Sequence, residues 1–583
     1  MIRSRKPPRD PHATATRHPL LASKLPAWRS KLIVFITFSA FAALAGRALW
    51  VQVVNHDFYV KQGQKRYQRT LELDAMRGRI VDRNGAILAV SLETFEIWAN
   101  PKILDEAAWS PLAKLLDMPI AELRRRLAGD RSFVLLKRQV DADTAAHIDE
   151  MATGGITLIA DSKRYYPEGE SAAHVVGFTD VEDAGQEGVE LAAEARLRGT
   201  PGQREVIRDR LGRVISEPSE RVQPKNGETV QLTVDRRVQQ LAYTQLKAAV
   251  EKNHAEAGSV VVLDAQNGDI LALANWPSFD PNNRARLTGK QLRNRAVIDT
   301  FEPGSTIKPV VAALSMDLRK VNANSIIDTS PGTYRIGPAV IHDTSNHGRM
   351  TVAEAIQKSS NIALAKIALN LPAQTIWNKY QDYGLGMRPE VTFPGAAAGR
   401  VRPWARWRPI EQATMAYGYG LSASLLQIAQ VYTAYAGDGT MYPARLLHGA
   451  PVTTATAPRA VTTPATAAAL RKMLEMATTE GGTGRAANVE GYRVGGKTGT
   501  ARKQIGAGYA KNRYRALFVG MAPMSAPRVI VAVMIDDPAG RSYYGGTVAG
   551  PVFAGVTQGT LQLMGVPPDL QTPPARQALA AAQ

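Results

Sequence analysis

The stretch Leu32–Val54 constrains this chain more than any other feature. It is free of charge from Leu32 to Gly46, and its apolar character continues through Arg47 to Val54. That makes 23 residues, where a bilayer-spanning helix needs about 20. Before it, residues 1–31 hold Arg3, Arg5, Lys6, Arg9, Arg17, Lys24, Arg29 and Lys31 against one acid, Asp10, a net +7. This segment has no apolar periodicity and reads as a disordered tail. The positive-inside rule keeps the tail cytoplasmic and exports the residues beyond the apolar stretch. Arg47 falls near the outer end, where it can snorkel to headgroups or face a partner helix. Trp50 suits the interface. A cleaved signal peptide is the competing reading, because Ala43-Leu44-Ala45 resembles a small-residue cleavage site. The long basic segment and the apolar residues beyond that site favour an uncleaved anchor.

Charge then narrows the partners. The 583 residues hold 71 Lys+Arg and 52 Asp+Glu, a net +19, which at first suggests nucleic acid. With the tail removed, the rest spreads over more than 500 residues. No dense basic block with interleaved aromatics is read there, so the expectation is no nucleic acid. Hydrophobic residues at 45% and charged residues at 21% exclude a largely disordered or collagen-like chain. A mean hydropathy of -0.19 excludes a polytopic membrane protein and leaves room for one span. There is no cysteine, hence no disulfide, thiolate metal site or thiol nucleophile. The nine histidines show no metal spacing, and His342 and His347 are assigned no role. No cofactor or metal is expected.

The exported part has two textures. Residues 55–228 are rich in charge and turns, with strand-like runs (Ile80-Val81, Phe95–Ala99). Helix candidates Pro111–Leu116 and Pro119–Leu127 each have proline at a first position. No catalytic constellation is visible, so a scaffold is expected. Residues 229–562 begin with a hairpin pattern, Gly258–Leu263 and Asp269–Ala274 around Gln266-Asn267-Gly268. Helical stretches follow between about 305 and 480. Strand-like runs return at Arg493–Ala501, Arg515–Met521 and Arg528–Ile535. This order predicts one sheet with helices on its faces. From about 563 the chain reads as a frayed tail.

Three segments carry chemistry. In Phe301-Glu-Pro-Gly-Ser305-Thr-Ile-Lys308-Pro309, a helix starting near Ser305 would leave Pro309 in its first turn, where a missing N–H does little harm. Ser305 then sits at a helix N-terminus, which favours developing negative charge. Lys308 shares its face. A serine needs a base, and a lysine serves only when desolvation or a nearby cation makes it neutral. Alone, S-x-x-K is weak, but Ser305 is the only serine with Lys at +3. Ser359-Ser360-Asn361 interrupts an apolar helical pattern, as a helix end or a cleft-facing triplet. Gly495-Gly496-Lys497-Thr498-Gly499-Thr500 lies on a strand-like run, whose glycines would let backbone approach a ligand. Gly491–Thr498 also matches the phosphate-binding pattern G-x-x-x-x-G-K-[ST]. That loop must open a helix, and here a strand and a long loop are expected instead.

Together the three segments resemble the S-x-x-K, S-x-N and K-T-G set of penicillin-recognising serine acyltransferases. Arg77–Gly85 (RGRIVDRNG) is similar to the opening signature of the class B penicillin-binding protein pedestal. Arg164-Tyr165-Tyr166-Pro167, His174–Gly177, Gly185–Glu190, Arg208-Asp209 and Gly212 resemble later pedestal motifs. The short pedestal, compact anchor and lack of added C-terminal domains look most like the division-specific FtsI branch, with the elongation-specific relatives as close competitor. The resemblance covers about residues 32–562.

It implies an α/β (α+β) penicillin-binding serine-transferase fold, an antiparallel sheet with helices on both faces, plus a β-rich pedestal and one transmembrane helix. The expected division is tail 1–31, anchor 32–54, pedestal 55–228, transpeptidase domain 229–562 and tail 563–583. By motif, Ser305 is the acylated nucleophile and Lys308 its base. Ser359 and Asn361 relay the proton and hold the substrate amide, and Lys497 orders the network. Thr498, Gly499 and Thr500 form the substrate-binding strand, with the threonine hydroxyls on the terminal carboxylate. Implied partners are D-alanyl-D-alanine stem peptides, an amine acceptor, β-lactams, the membrane, an FtsW-type glycosyltransferase and other division proteins. The expected place is the inner membrane at the septum, with the catalytic domain periplasmic. A β-lactamase or carboxypeptidase-type hydrolase and a non-catalytic division scaffold are the alternatives. Tyr417–Gly420 and Tyr543–Gly546 resemble family segments flanking the cleft, though turn glycines and a packed tyrosine pair serve equally. No deacylating glutamate is matched.

Overall fold

The computed structural model describes residues 26–208, 214–216, 221–451, 453, 457–506 and 508–570. The tail expected over 1–31 falls almost wholly outside them, as do Asp209 and Gly212. The chain divides into two compact units, residues 1–74 with 201–224, and residues 75–200 with 225–583.

In the first unit an α-helix runs over Ala27–Leu49 and continues as a π-helical turn over Trp50–Val54. The helix therefore starts five residues before the stretch expected from apolarity, because Ala27–Lys31 carry no helix breaker once Pro26 has opened it. Its 28 residues extend about 42 Å at 1.5 Å per residue, more than a hydrocarbon core of about 30 Å. Arg47 donates to the Tyr59 hydroxyl (3.5 Å) on the next helix, His56–Tyr67. Strands Gln68–Leu73, Gly202–Arg208 and Val214–Ser216 form a small antiparallel sheet.

The second unit holds both remaining textures. The long strand Ile87–Ala99 pairs with Val134–Asp141 and with Ile156–Tyr165. Helices Trp109–Leu115, Ile120–Leu127 and Ala142–Glu150 cover it through Leu112, Leu116, Leu123, Leu127 and Ile148. The expected prolines sit differently: Pro111 is the third residue of its helix and Pro119 is the N-cap of its own. Both placements spare an intrahelical hydrogen bond, which is why a local rule misplaced the boundary.

The motif residues of this region converge on a buried charge cluster. Arg77 Nε meets Glu190 Oε2 at 2.6 Å and Arg164 Nε meets Glu190 Oε1 at 2.7 Å. Arg77 also reaches Glu194 (2.7 Å) and the Asp183 carbonyl (2.8 Å). Glu190 is fully buried. A buried carboxylate survives only when paired and hydrogen-bonded, and two guanidinium forks from distant segments supply that.

Helix α1 (Arg236–Lys252) opens the larger body, N-capped by Asp235. Strands β1 (Ala257–Asp264) and β2 (Ile270–Trp276) form the expected hairpin. Helices α2 (Lys308–Asp317), α3 (Val352–Gln357), α4 (Asn361–Leu369) and α5 (Leu425–Ala436) come next. Strands β3 (Gly495–Ile505), β4 (Gly508–Ala522) and β5 (Val529–Asp536) and helix α6 (Gly550–Leu563) follow. The five strands form one antiparallel sheet in the order β2-β1-β5-β4-β3. Its two-residue alternation separates two cores. Val261, Leu263, Leu517, Val519, Ile530 and Ala532 face the cluster containing α2, α4 and α5. Val260, Val262, Phe518, Val529, Val531 and Val533 face Val238, Ala242, Leu246 and Val250 of α1, with Phe553 and Val556 of α6. Both faces are covered, so β5 reads as a continuous apolar run rather than an alternating one.

Two expectations change. The loop foreseen after Thr500 is instead an extended hairpin, with β3 paired to β4 out to Ile505–Gly508. The C-terminal segment is docked as far as residue 570: Tyr492 OH donates to Val566 O (2.6 Å) and Leu570 N to Gly491 O (3.0 Å). Residues 571–583 lie outside the described residues.

Candidate active site

Ser305 does not open an α-helix. Gly304–Ile307 is a single 3₁₀ turn, and Lys308 is the first residue of α2 with Pro309 second. Proline there removes no intrahelical bond. The tyrosine hydroxyl of Tyr432, from the buried face of α5, donates to Thr306 O (2.7 Å) and holds the turn from below.

Lys308 is fully buried. Its Nζ lies 2.5 Å from Ser359 O, 2.8 Å from Asn361 Oδ1 and 3.2 Å from Ser359 Oγ. Burial, and then the charge of Lys497, hold its amine well below the usual lysine range, with Asp343 opposing. A neutral amine has two hydrogens and one lone pair. The Ser359 carbonyl and Asn361 amide oxygen take the hydrogens, and the lone pair is left for a hydroxyl proton. Among the described residues no hydrogen bond yet joins Ser305 Oγ to this amine, as is common before substrate tightens a site.

The Ser359–Asn361 triplet is a junction between two helices. α3 ends at Gln357 and α4 begins at Asn361 with Ser360 as N-cap, its Oγ accepting from Ala363 N (3.0 Å). Ser359 has φ of +63°, a left-handed conformation uncommon outside glycine and typical of strained functional positions. That backbone turn aims both its carbonyl and its hydroxyl at Lys308. Asp343 completes the junction: it accepts from Ser360 Oγ (2.6 Å), Asn361 N (2.6 Å) and Ile362 N (3.1 Å). Asn361 Nδ2 donates to His342 O (3.0 Å). Sequence reasoning missed Asp343. The one available signal was that α4 would present free N–H groups needing an acceptor.

Lys497 is fully buried on β3, and burial brings its amine down to about 7. Its Nζ reaches Thr498 O (3.2 Å). Thr498 Oγ1 shares a 2.8 Å hydrogen bond with Thr483 Oγ1, a residue no motif indicated. Thr500 Oγ1 accepts from Gly545 N (3.0 Å), leaving its own proton free to donate. The glycines fit close to protein. A Cβ at Gly499 would stand 2.9 Å from Thr306 Cγ2 and 3.1 Å from Leu517 Cβ, and one at Gly496 2.7 Å from Phe518 Cε1. Gly499 thus lets β3 approach the turn that carries Ser305. The strand placement also removes the phosphate-loop reading of Gly491–Thr498.

One lip of the site is the turn at Gly418 and Gly420, both at positive φ. Gly304 N donates to Gly418 O (3.2 Å), and a side chain at Gly418 would overlap the Gly304 backbone. Buried Glu302 accepts from Gly420 N (2.8 Å) and Tyr509 OH (3.1 Å), and burial pushes its carboxyl up. Across the cleft edge, Tyr514, Tyr543 and Tyr544 stack with centroids 4.1 and 4.6 Å apart.

The three motif segments are therefore joined around one buried amine. Residues 258–558 match the family model of the penicillin-binding protein transpeptidase domain, and residues 72–232 that of the penicillin-binding protein dimerisation domain. The chain is a class B penicillin-binding protein. It is 43% identical over 535 residues to the probable peptidoglycan D,D-transpeptidase PenA of Neisseria meningitidis serogroup A, covering 91% of each chain. It is 38% identical over 555 residues to the peptidoglycan D,D-transpeptidase FtsI of Escherichia coli K12, covering 94% of this chain and 93% of that one. A peptidoglycan synthetase structure from Bifidobacterium adolescentis superposes with a TM-score of 0.69 at 26% identity, over 87% of this chain and 99% of that one. Within this penicillin-binding protein, the sheet edge β3, the turn before α2 and the α3–α4 junction form the walls of the cleft.

Proposed function

We propose that this chain is a membrane-anchored peptidoglycan D,D-transpeptidase acting at the division septum. Ser305 attacks the penultimate carbonyl of a D-alanyl-D-alanine stem peptide while its proton passes to the Lys308 lone pair. Backbone N–H groups of Ser305 and Thr500 hold the oxyanion, each such donor contributing about 3–4 kcal/mol. Ser359 carries the proton on to the leaving D-alanine amine, and Asn361 holds the substrate amide. The Thr498 and Thr500 hydroxyls bind the terminal carboxylate beside Lys497. The amine of a second stem peptide then takes the acyl group from Ser305 and restores its hydroxyl. β-Lactams acylate the same oxygen.

The observation that carries this reading is Lys308, fully buried, its amine held well below the usual lysine range by burial and by the charge of Lys497, with Ser359 O and Asn361 Oδ1 accepting from it. Residues 229–562 serve as the catalytic domain and 55–228 as its pedestal. The Ala27–Val54 helix is the single membrane anchor, with the basic tail cytoplasmic. Its glycan strands come from a partner, an FtsW-type glycosyltransferase.

A fluorescent penicillin should label the wild type covalently and fail on Ser305→Ala. Label on that variant, or none on the wild type, defeats the transpeptidase reading. Depletion should arrest division; loss of rod shape instead would assign the chain to elongation.

A further inference from the structure

Beside the cleft lies a basic, aromatic run that the whole-chain charge count conceals. Arg400-Val-Arg402-Pro-Trp404-Ala-Arg406-Trp407-Arg408 places four arginines and two tryptophans in nine residues. It corrects the expectation that no such block exists outside the tail. The run is ordered by its own contacts. Trp407 Nε1 donates to Arg402 O (2.9 Å), and Trp404–Arg406 form a 3₁₀ turn. Arg402 and Arg408 both engage Glu411 (2.8 and 3.3 Å). The backbone N–H of Arg408 and these guanidiniums hold the Glu411 carboxyl at about 2, so the clamp persists at any ordinary pH.

Half the run is engaged in this clamp, and the other half is not. Arg400, Trp404 and Arg406 are exposed, and among the described residues neither Arg400 nor Arg406 has an acidic partner. Their position is fixed by pairing. Arg400 and Val401 pair with Ser422 and Leu421. Ala423 bridges Phe301, four residues before Ser305. The run therefore lies one strand outward from the segment leading to the nucleophile, next to the Gly418–Gly420 lip.

We infer that Arg400, Trp404 and Arg406 bind the glycan strand that carries the stem peptides, outside the reacting bond. This rests on the transpeptidase reading. The strand is a saccharide bearing peptides with free carboxylates. An exposed indole offers a flat apolar face for sugar C–H groups. Guanidiniums suit carboxylates through their planar fork. A preorganised loop loses little conformational entropy on binding.

The test uses the full-length chain in detergent, first acylated with penicillin so that the cleft is closed. Soluble glycan strands that retain their stem peptides are then titrated. The wild type should bind them. Arg400→Ala/Arg406→Ala should weaken binding roughly tenfold, about 1.4 kcal/mol, the scale expected for two exposed charge pairs. Trp404→Ala should weaken it severalfold, and Arg400→Lys/Arg406→Lys should keep most of it. Strands stripped of peptides should bind poorly. Penicillin labelling of Ser305 in the unblocked variants reports their folding. Unchanged affinity in the double alanine variant overturns the inference. So does loss of all strand binding once penicillin occupies the cleft, or arginine-dependent binding to phosphatidylglycerol vesicles without binding to strands. If penicillin labels nothing while strands bind through the arginines, the catalytic reading falls and the surface stands.

Discussion

Lys308 Nζ stands 2.8 Å from Asn361 Oδ1, so the first two motifs are already hydrogen-bonded without substrate. The amide oxygen accepts one amine hydrogen and the Ser359 carbonyl the other. Asn361 in turn is held by His342 O and Asp343. The amine is thereby oriented by a chain that starts outside all three motifs.

Acylation should follow the protonation of Lys308. The amine must be neutral to accept the serine proton, so the rate falls as pH drops through its depressed pKa and is flat above it. A stopped-flow penicillin assay from pH 5 to 9 checks this. A rate that still climbs tenfold per pH unit up to pH 9 would contradict an amine held well below the usual lysine range. Lys308→Ala should lose at least about 1,000-fold, as expected for removal of the base that activates a nucleophile.

Asp343→Asn should slow acylation by about tenfold, because a charged acceptor shared by three donors is replaced by a weaker one. The acid limb should also move to lower pH. Asp343 raises the Lys308 pKa, and its neutralisation lowers it. A slower rate with an unmoved limb would mean that Asp343 acts on geometry alone.

Gly499→Ala should destabilise by about 1–3 kcal/mol, the usual range for overpacking, since the new methyl meets Thr306 and Leu517. Penicillin labelling should fall with it, because β3 is pushed from the turn that carries Ser305. Thermal unfolding and labelling on the same sample test both.

Arg77→Ala should cost about 3–5 kcal/mol by leaving Glu190 buried with one partner removed. Arg77→Ala/Glu190→Gln should recover part of that loss. Denaturant unfolding of the three proteins decides it.

Stability should rise from about pH 7 toward pH 10. Lys497 has a folded value near 7 and an unfolded value near 10.4, so between them the unfolded chain holds the extra proton and alkali favours folding. Lys497→Met should reduce that rise in a melting-temperature series, leaving the share that Lys308 contributes.

Much of this was legible in the residues. The short apolar runs of β1, β2, β4 and β5 and the three motif spacings anticipated the sheet and the lysines. Local patterns failed where an answer lay far along the chain. Ser360 signals an N-cap, yet nothing nearby reveals that Asp343 accepts its proton. Thr498 shows a hydroxyl, but its partner Thr483 lies fifteen residues away in an irregular loop. The glycines of β3 suggested room for ligand, whereas Phe518, Leu517 and Thr306 fill that room. The apolar run before Arg47 marked a span, but its start depended on where Pro26 permits a helix.

The strand order β2-β1-β5-β4-β3 has a bearing on when the cleft comes into being. The first strand made is hydrogen-bonded to the last, Val529–Asp536, and that last strand joins the opening hairpin to the pair bearing Lys497. Until residue 536 has been synthesised, the β3–β4 pair has no further sheet to dock on. Such long-range pairing is slow to assemble. A chain that stops short of β5 therefore lacks the sheet that presents Lys497 to Lys308.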